Sequence, residues 1–346
     1  MRARTYHDSD ADLGVLTGRT VAVIGYGNQG CAQAQNLRDS GGRVVIGNRD
    51  DDCRDRAVRD GFEVLGIDEA ARVGQIVLLL IPDEVQPGVV AGHVAPGLRA
   101  GDTVVVASGY NLAFGLLDLP GDIDVVMVAP RMIGAAVRDR YRRGVGYPCL
   151  VSVERDATGT ALHTALAIAR AIGATAGGAV ASSAREEAAL DLFTEQAIWP
   201  TVFAVLQASY EVLAAAGFSD DAILDEMYLS GEPAEVFARI AEMGLLDQLR
   251  VHSRTSQYGQ LLHLERSAEL VGTLRERFTE ILRGEILSGR FAAQWSAVGA
   301  DAESRIRALL DRAGTHPLIA AERTISAAPG STGERVTPCR PVKDRA

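Results

Sequence analysis

Hydrophobic positions fall into two contrasting patterns along this chain. Up to about residue 150 they form short unbroken runs: Val21-Ala22-Val23-Ile24, Val44-Val45-Ile46, Ile76 to Ile81, Thr103 to Ala107 and Val125 to Ala129. Helical stretches separate them. A strand with one wet face alternates apolar and polar positions, whereas an unbroken run has both faces covered. The pattern predicts a parallel sheet with helices on each side, and Cys149 to Val153 as an added strand. From Thr160 onward, Ala and Leu recur at helical spacing. Glu187 to Ala216 reads as one long apolar helix, with a kink expected at Pro200. Further helices are expected at 219–229, 233–250, 255–283 and 301–313. A helix this apolar has neighbours on most sides, which implies a large helical core completed by a second subunit. Residues 1–182 are thus expected to form an α/β domain, 183–325 an all-α domain, and 326–346 a loose tail rich in Ser, Gly, Pro and Arg.

Composition narrows the class. The chain has 346 residues, 47% of them hydrophobic, and a formal charge of -10. No basic patch stands out, so no nucleic-acid partner is expected. Cys31, Cys53, Cys149 and Cys339 are far apart and form no CxxC pair, as in a reducing compartment. The N-terminus has no long apolar run and does not read as a signal peptide. Ile76 to Pro82 is too short to span a bilayer. A cytoplasmic protein with no membrane partner is expected.

The first candidate chemistry sits at the end of the first long run. Val21 to Ile24 leads into Gly25-Tyr26-Gly27-Asn28-Gln29-Gly30 and then a helical stretch. This is GxGxxG between strand and helix, where glycines permit a tight turn, a close approach to a pyrophosphate and tight helix packing. The next run ends in Gly47-Asn48-Arg49-Asp50-Asp51-Asp52, where the adenosine ribose of a dinucleotide lies. Acids there accept from ribose hydroxyls and repel a 2′-phosphate; Arg49, Arg54 and Arg56 favour that phosphate. The three aspartates tilt the expectation toward NADH over NADPH.

In the helical half, Asp191 and Glu195 are four apart and share a helix face among Leu190, Leu192, Phe193, Ile198 and Trp199. Two acids on a buried face call for a cation or a proton between them, and Mg2+ takes such oxygens. Glu186 and Glu187, one turn earlier, show that acids are common there. Glu226, Glu232 and Glu235 are further candidates.

Taken together, these segments resemble the ketol-acid reductoisomerases, or acetohydroxy acid isomeroreductases. The likeness begins at Gly18-Arg19-Thr20-Val21-Ala22-Val23-Ile24-Gly25-Tyr26-Gly27. It continues through Asn36-Leu37-Arg38-Asp39-Ser40-Gly41, Leu79-Leu80-Ile81-Pro82-Asp83-Glu84-Val85-Gln86-Pro87 and Val126-Met127-Val128-Ala129-Pro130. It runs on through Asp191-Leu192-Phe193-Thr194-Glu195-Gln196, Gln257-Tyr258-Gly259 and Gly289-Arg290-Phe291-Ala292, covering roughly residues 15–320. The resemblance implies a Rossmann domain, a knotted all-α C-terminal domain and at least a homodimer. It also implies a Mg2+-dependent alkyl migration followed by hydride transfer from a nicotinamide. On the cofactor side it brings in Pro82, Asp83, Gln86, Ser108 and Gly109. It makes Asp191 and Glu195 the first metal pair, and Ser253 a contact to the substrate carboxylate. The second pair falls on Glu226 and Ser230 counting from Gly217, or on Glu226 and Glu232 counting back from Gly244.

The chain departs from the family at one reaction's groups. The family's AHGFNIHFG reads Ala107-Ser108-Gly109-Tyr110-Asn111-Leu112-Ala113-Phe114-Gly115 here, so Ser108 and Ala113 replace histidines. The family's PKGPGH reads Pro130-Arg131-Met132-Ile133-Gly134-Ala135, with Arg131 for lysine and Ala135 for histidine. A serine cannot relay a proton near neutral pH as imidazole does. The expectation is a reductase of a small carbonyl or imine that has lost the migration step. Asp191, Glu195, Arg131, Ser108 and Tyr110 would serve the chemistry, and Glu226, Glu232, Ser253, Met132 and Ile133 the substrate. The alternatives are a genuine Mg2+-dependent ketol-acid reductoisomerase and a non-catalytic dinucleotide-binding protein.

Overall fold

The computed structural model describes residues 2–326. These divide into two compact units, one ending at Leu190 and the other beginning at Asp191. The first unit is built on a sheet of nine strands: β1 (Thr5–Tyr6), β2 (Thr20–Ile24), β3 (Arg43–Gly47), β4 (Glu63–Leu65), β5 (Ile76–Leu79), β6 (Thr103–Val106), β7 (Asp124–Pro130), β8 (Cys149–Arg155) and β9 (Ala179–Ala181). Their order is β1-β9-β8-β7-β6-β5-β2-β3-β4.

All five residues of β2, and all four of β5 and of β6, are buried. That is why these runs are unbroken: two hydrophobic layers, one on each face, cover them. The six strands from β7 to β4 are parallel and hydrogen-bonded in the doubly wound order, which reverses direction between β2 and β5. The sheet is larger and more mixed than the apolar runs predict. β8 is the added strand, but it runs antiparallel to β7, and β1 pairs antiparallel with β9. Three of the strands have two or three residues, too few to leave a periodic signal.

The helix after β2, α1, spans Asn28–Asp39, and the one after β3, α2, spans Asp52–Arg59. Ahead of β2 the chain carries, besides β1, two short 3-10 turns, Asp8–Asp10 and Leu13–Leu16.

Among the described residues, the second unit is all helix. The long helix is present but not uniform. Ala184–Phe193 passes into a π-turn at Thr194–Ile198 and then into Trp199–Ala215. Pro200 offers no N–H to the preceding turn, and the chain widens there instead of breaking. The stretch expected as 233–250 stops at Met243, where Gly244 takes φ 99°. The stretch expected as 255–283 is cut into Arg254–Glu265 and Ala268–Thr279. Ala302–Ala313 falls where expected, and Pro317–Ser326 carries helix into the segment expected to be loose. The rest of that expected tail, 327–346, lies outside the described residues.

This unit has a small core, Tyr210, Ile223, Leu224, Leu318 and Ala321. Many large apolar side chains stay exposed, including Val212 at 70%, Leu245 at 69% and Tyr258 at 71%. The combined helix Ala184–Ala215 has a mean hydropathy of 1.2 in its most apolar window, of which 11% is buried. By length and composition alone it could cross a membrane, although polar residues interrupt its apolar positions so that no unbroken run marks it.

Candidate functional site

The glycines after β2 each answer a different steric demand. Gly25 takes φ 96°, and a Cβ there would lie 2.7 Å from the Leu80 carbonyl oxygen. A Cβ on Gly30 would lie 2.0 Å from the Gly25 carbonyl oxygen, so only glycine lets α1 pack this close to the turn. At Gly27 a Cβ would meet nothing within 4 Å. Gly27 also caps α1 with no side chain over the first N–H groups. Open space in front of a helix N-terminus, at the point where strand order reverses, fits a pyrophosphate. The residues present therefore fit a dinucleotide.

The residues between and after the glycines mostly hold this cradle. Tyr26 is fully buried; its N–H donates to Asn48 Oδ1 (3.1 Å) and its hydroxyl to Asp60 Oδ2 (2.7 Å). Burial, then Asp60, pushes that hydroxyl's pKa upward. Only the backbone of Tyr26 remains for a cofactor. Asn28 opens α1, and Gln29 Nε2 donates to the Met132 carbonyl (2.8 Å). Arg56 Nη2 donates to the carbonyls of Tyr26 (2.6 Å) and Gly27 (3.2 Å), so this arginine braces the loop from α2.

The three aspartates divide their work. Asp51 caps α2, accepting from the N–H groups of Cys53 and Arg54, and pairs with Arg49 Nε at 2.8 Å. Burial would raise its carboxyl, but the hydrogen bonds from Arg49, Arg54 and Asn48 outweigh it and hold the pKa low. Asp50 and Asp52 are exposed.

At the carboxyl ends of β5 and β6 a second polar group assembles. Asn111 Nδ2 donates to the Asp83 carbonyl (3.0 Å) and to Gln86 Oε1 (3.0 Å); Gln86 Nε2 donates to the Ile81 carbonyl (2.9 Å). The Ser108 hydroxyl lies 3.4 Å from Asp83 Oδ2 and accepts from the Tyr110 N–H at 3.3 Å. Pro82 is exposed beside them. The Tyr110 hydroxyl is closed off and has no hydrogen-bond partner; burial, then Asp83, raises its pKa. It keeps its proton and does not reach the surface.

Sequence reasoning passed over the residue that organises this end of the sheet. Glu187 is 1% exposed. Its Oε2 accepts from the Gly109 N–H (2.6 Å) and its Oε1 from Arg131 Nη1 (2.6 Å). Gly109 must be glycine, because a Cβ would sit 2.2 Å from the Ala184 carbonyl oxygen. Glu187 thus ties the turn after β6 to the loop after β7. The available signal was its place four residues before Asp191. Beyond Arg131, Met132 is half-buried and Ile133 is 76% exposed.

The carboxylates of the second unit are less buried than expected. Asp191 is half-buried and Glu195 exposed, within the π-turn. The two acids therefore do not share a buried face. Glu226, also in a π-turn, and Glu232 line one cavity of about 400 Å3 with Pro233, Val236, Phe237, Gln248 and His252. Ser230, the other candidate partner of Glu226, does not line that cavity. Ser253 caps Arg254–Glu265, accepting from the Ser256 N–H at 3.2 Å. Among the described residues, no three of His, Cys, Asp and Glu converge as metal ligands.

Comparison with known proteins covers both units. Residues 15–178 match the sequence model of the acetohydroxy acid isomeroreductase NADPH-binding domain, and residues 185–329 that of the ketol-acid reductoisomerase C-terminal domain. The putative ketol-acid reductoisomerase 3 of Saccharolobus solfataricus is 44% identical over 294 residues, 83% of this chain and 86% of the relative. The ketol-acid reductoisomerase (NADP(+)) of Methanopyrus kandleri is 42% identical over 85% of this chain and 88% of its own. The solved structure of an NADH-preferring ketol-acid reductoisomerase from an uncultured archaean superposes with a TM-score of 0.85 at 32% identity. It covers 94% of this chain and 99% of that one.

Proposed function

The chain belongs to the ketol-acid reductoisomerase family and is an NAD(P)-dependent oxidoreductase; from that premise we propose that it reduces a small carbonyl or imine and no longer performs the alkyl migration. The observation that carries the reading is an intact dinucleotide cradle in a chain whose β6 turn carries serine. The Ser108 hydroxyl is engaged with Asp83 and Tyr110, and no imidazole stands at 108, 113 or 135. A bound reduced nicotinamide supplies the hydride. Arg131, held by Glu187, polarises the acceptor's oxygen or pairs with an anionic group beside it. Met132 and Ile133 give that wall an apolar surface.

NADH is the favoured donor in this reading. Asp51 turns Arg49 toward itself, and Asp50 and Asp52 place negative charge where a 2′-phosphate would sit. The NADH preference named for the archaeal structure supports this, while the NADP(+) named for the Methanopyrus relative favours the other donor. The protein is further read as a cytoplasmic homodimer or larger homo-oligomer, with a knotted helical domain spanning 183–325 and an α/β domain spanning 1–182. Exposed Phe203, Val205 and Val212 on the long helix support a second copy covering it.

One observation favours a genuine reductoisomerase instead: Glu226 and Glu232 share a cavity, as a displaced second carboxylate pair would. Acetolactate with Mg2+, assayed in parallel with NADH and NADPH, separates the two. No nicotinamide oxidation with acetolactate, with turnover of a 2-keto acid or cyclic imine, is the expected result. Mg2+-dependent conversion of acetolactate to the dihydroxy acid would overturn it.

A further inference from the structure

Arg131, Met132 and Ile133 make up the short loop between the end of β7 at Pro130 and the next helix, Gly134–Arg142. That helix is fastened to α1 at two places. Arg138 Nη1 donates to Asn36 Oδ1 (2.7 Å), and its Nη2 lies 2.5 Å from Asp39 Oδ2. Gly134 packs so closely on the start of α1 that a Cβ there would lie 2.2 Å from the Asn28 carbonyl oxygen. The far side of the loop is therefore set by α1, and its near side by the sheet, where the Arg131 N–H donates to the Pro148 carbonyl (3.0 Å).

Gln29 reaches the loop itself. A backbone carbonyl only accepts, so the atom 2.8 Å from the Met132 oxygen must be the amide nitrogen of Gln29. Its amide oxygen then accepts from Nε2 of the buried Gln33 at 3.0 Å, which holds the side chain from behind. Gln29 is also the second residue of α1, and the N–H groups of a helix's first turn have no acceptor within the helix. One residue thus offers its backbone to the cradle and its side chain to the loop that carries Arg131.

We propose that Gln29 is a positioning residue that makes the place of the loop Arg131 to Ile133 depend on whether the cradle is filled. A pyrophosphate on the first turn of α1 fixes the Gln29 backbone, and the amide passes that constraint to Met132, the neighbour of Arg131. The acceptor then binds better once the dinucleotide is in place, and by linkage the dinucleotide binds better with the acceptor. The acceptor half rests on the reductase reading of Arg131; the coupling of cradle to loop does not.

Amide hydrogen exchange of the full chain, with and without saturating NADH, tests this without turnover. In the wild type NADH is expected to slow exchange at the first turn of α1, and by about tenfold or more at residues 131–134. Gln29→Met and Gln29→Glu each remove the donor, the second with almost no change of shape. Each, saturated at its own measured Kd, is expected to keep the NADH effect at α1 and lose it at 131–134. Gln29→Lys, which restores an N–H donor, is expected to recover most of it. Oxamate, a 2-keto acid isostere that takes no hydride, reads the acceptor side by calorimetry. Its affinity for the wild type is expected to rise about tenfold with NADH, and Gln29→Met is expected to lose most of that gain.

An undiminished NADH effect at 131–134 in the variants without the donor would overturn the proposal. So would exchange there that speeds up equally with and without NADH, the mark of a merely structural contact. Oxamate affinity indifferent to NADH in the wild type would overturn the acceptor half. The two readings fail separately. Turnover of keto acids with no NADH effect on the loop removes this inference and keeps the reductase. A loop that answers to NADH through Gln29, with no nicotinamide oxidation by any acceptor, does the reverse.

Discussion

Glu187 holds two things at once, and its removal separates them. The carboxylate is buried, between a backbone N–H and the guanidinium of Arg131, whose side chain is 33% exposed. Glu187→Ala leaves Gly109 and Arg131 without it at the same moment. Loss of one partner of a buried ion pair costs about 3–5 kcal/mol, and the partly exposed arginine puts this case near about 3 kcal/mol. Glu187→Gln keeps a hydrogen bond to Gly109 and is expected to lose about half of that. Urea unfolding measures both. If the two variants are equally stable, the ion pair contributes nothing and the backbone contact carries the site. Sequence alone showed Glu187 as one acid among several, because its importance depends on Gly109 and Arg131, which are 78 and 56 residues away.

Elements show which signals a sequence carries well. Long buried strands declare themselves, and β2, β5, β6 and β7 lie close to their apolar runs. Short edge strands do not, since β4 and β9 have too few residues to show a period. Helix ends set by one left-handed glycine, as at Gly244, were also missed, because helical spacing continues past them. The Asp run after β3 was legible as charge but not as a cap. Asp51 is held below its ordinary pKa, so its stabilising effect is complete above the unfolded value of about 3.9 and fades as pH falls through the folded one. Asp51→Ala is expected to cost about 1 kcal/mol near pH 7. Thermal melts from pH 7 to 2.5 should show the gap between wild type and variant closing below about pH 4. A gap that persists unchanged at pH 2.5 would assign the loss to packing.

At the scale of the whole molecule, the α/β unit covers its apolar strands on both faces while the helical unit exposes much of its apolar surface. Stable interfaces bury on the order of 1,200–2,000 Å2, and large apolar patches seldom stay bare. The expected solution state is at least dimeric, and Val212→Glu, which puts a charge at a 70% exposed position of the long helix, is expected to shift it toward monomer. Light scattering across a dilution series reads both. A wild-type monomer at micromolar concentration would remove the dimer and leave the exposed face unexplained.

The π-turn at Thr194–Ile198 acts as an expansion joint. Each residue advances an α-helix by about 100°, and a wide turn takes up one residue more over the same length. Deleting a single residue there would restore regular winding and leave the phase of Trp199–Ala215 nearly unchanged, whereas deleting one inside Trp199–Ala215 would turn whatever follows by about a quarter turn or more. The joint therefore lets the helix change length by one residue without re-aiming the oily face behind it.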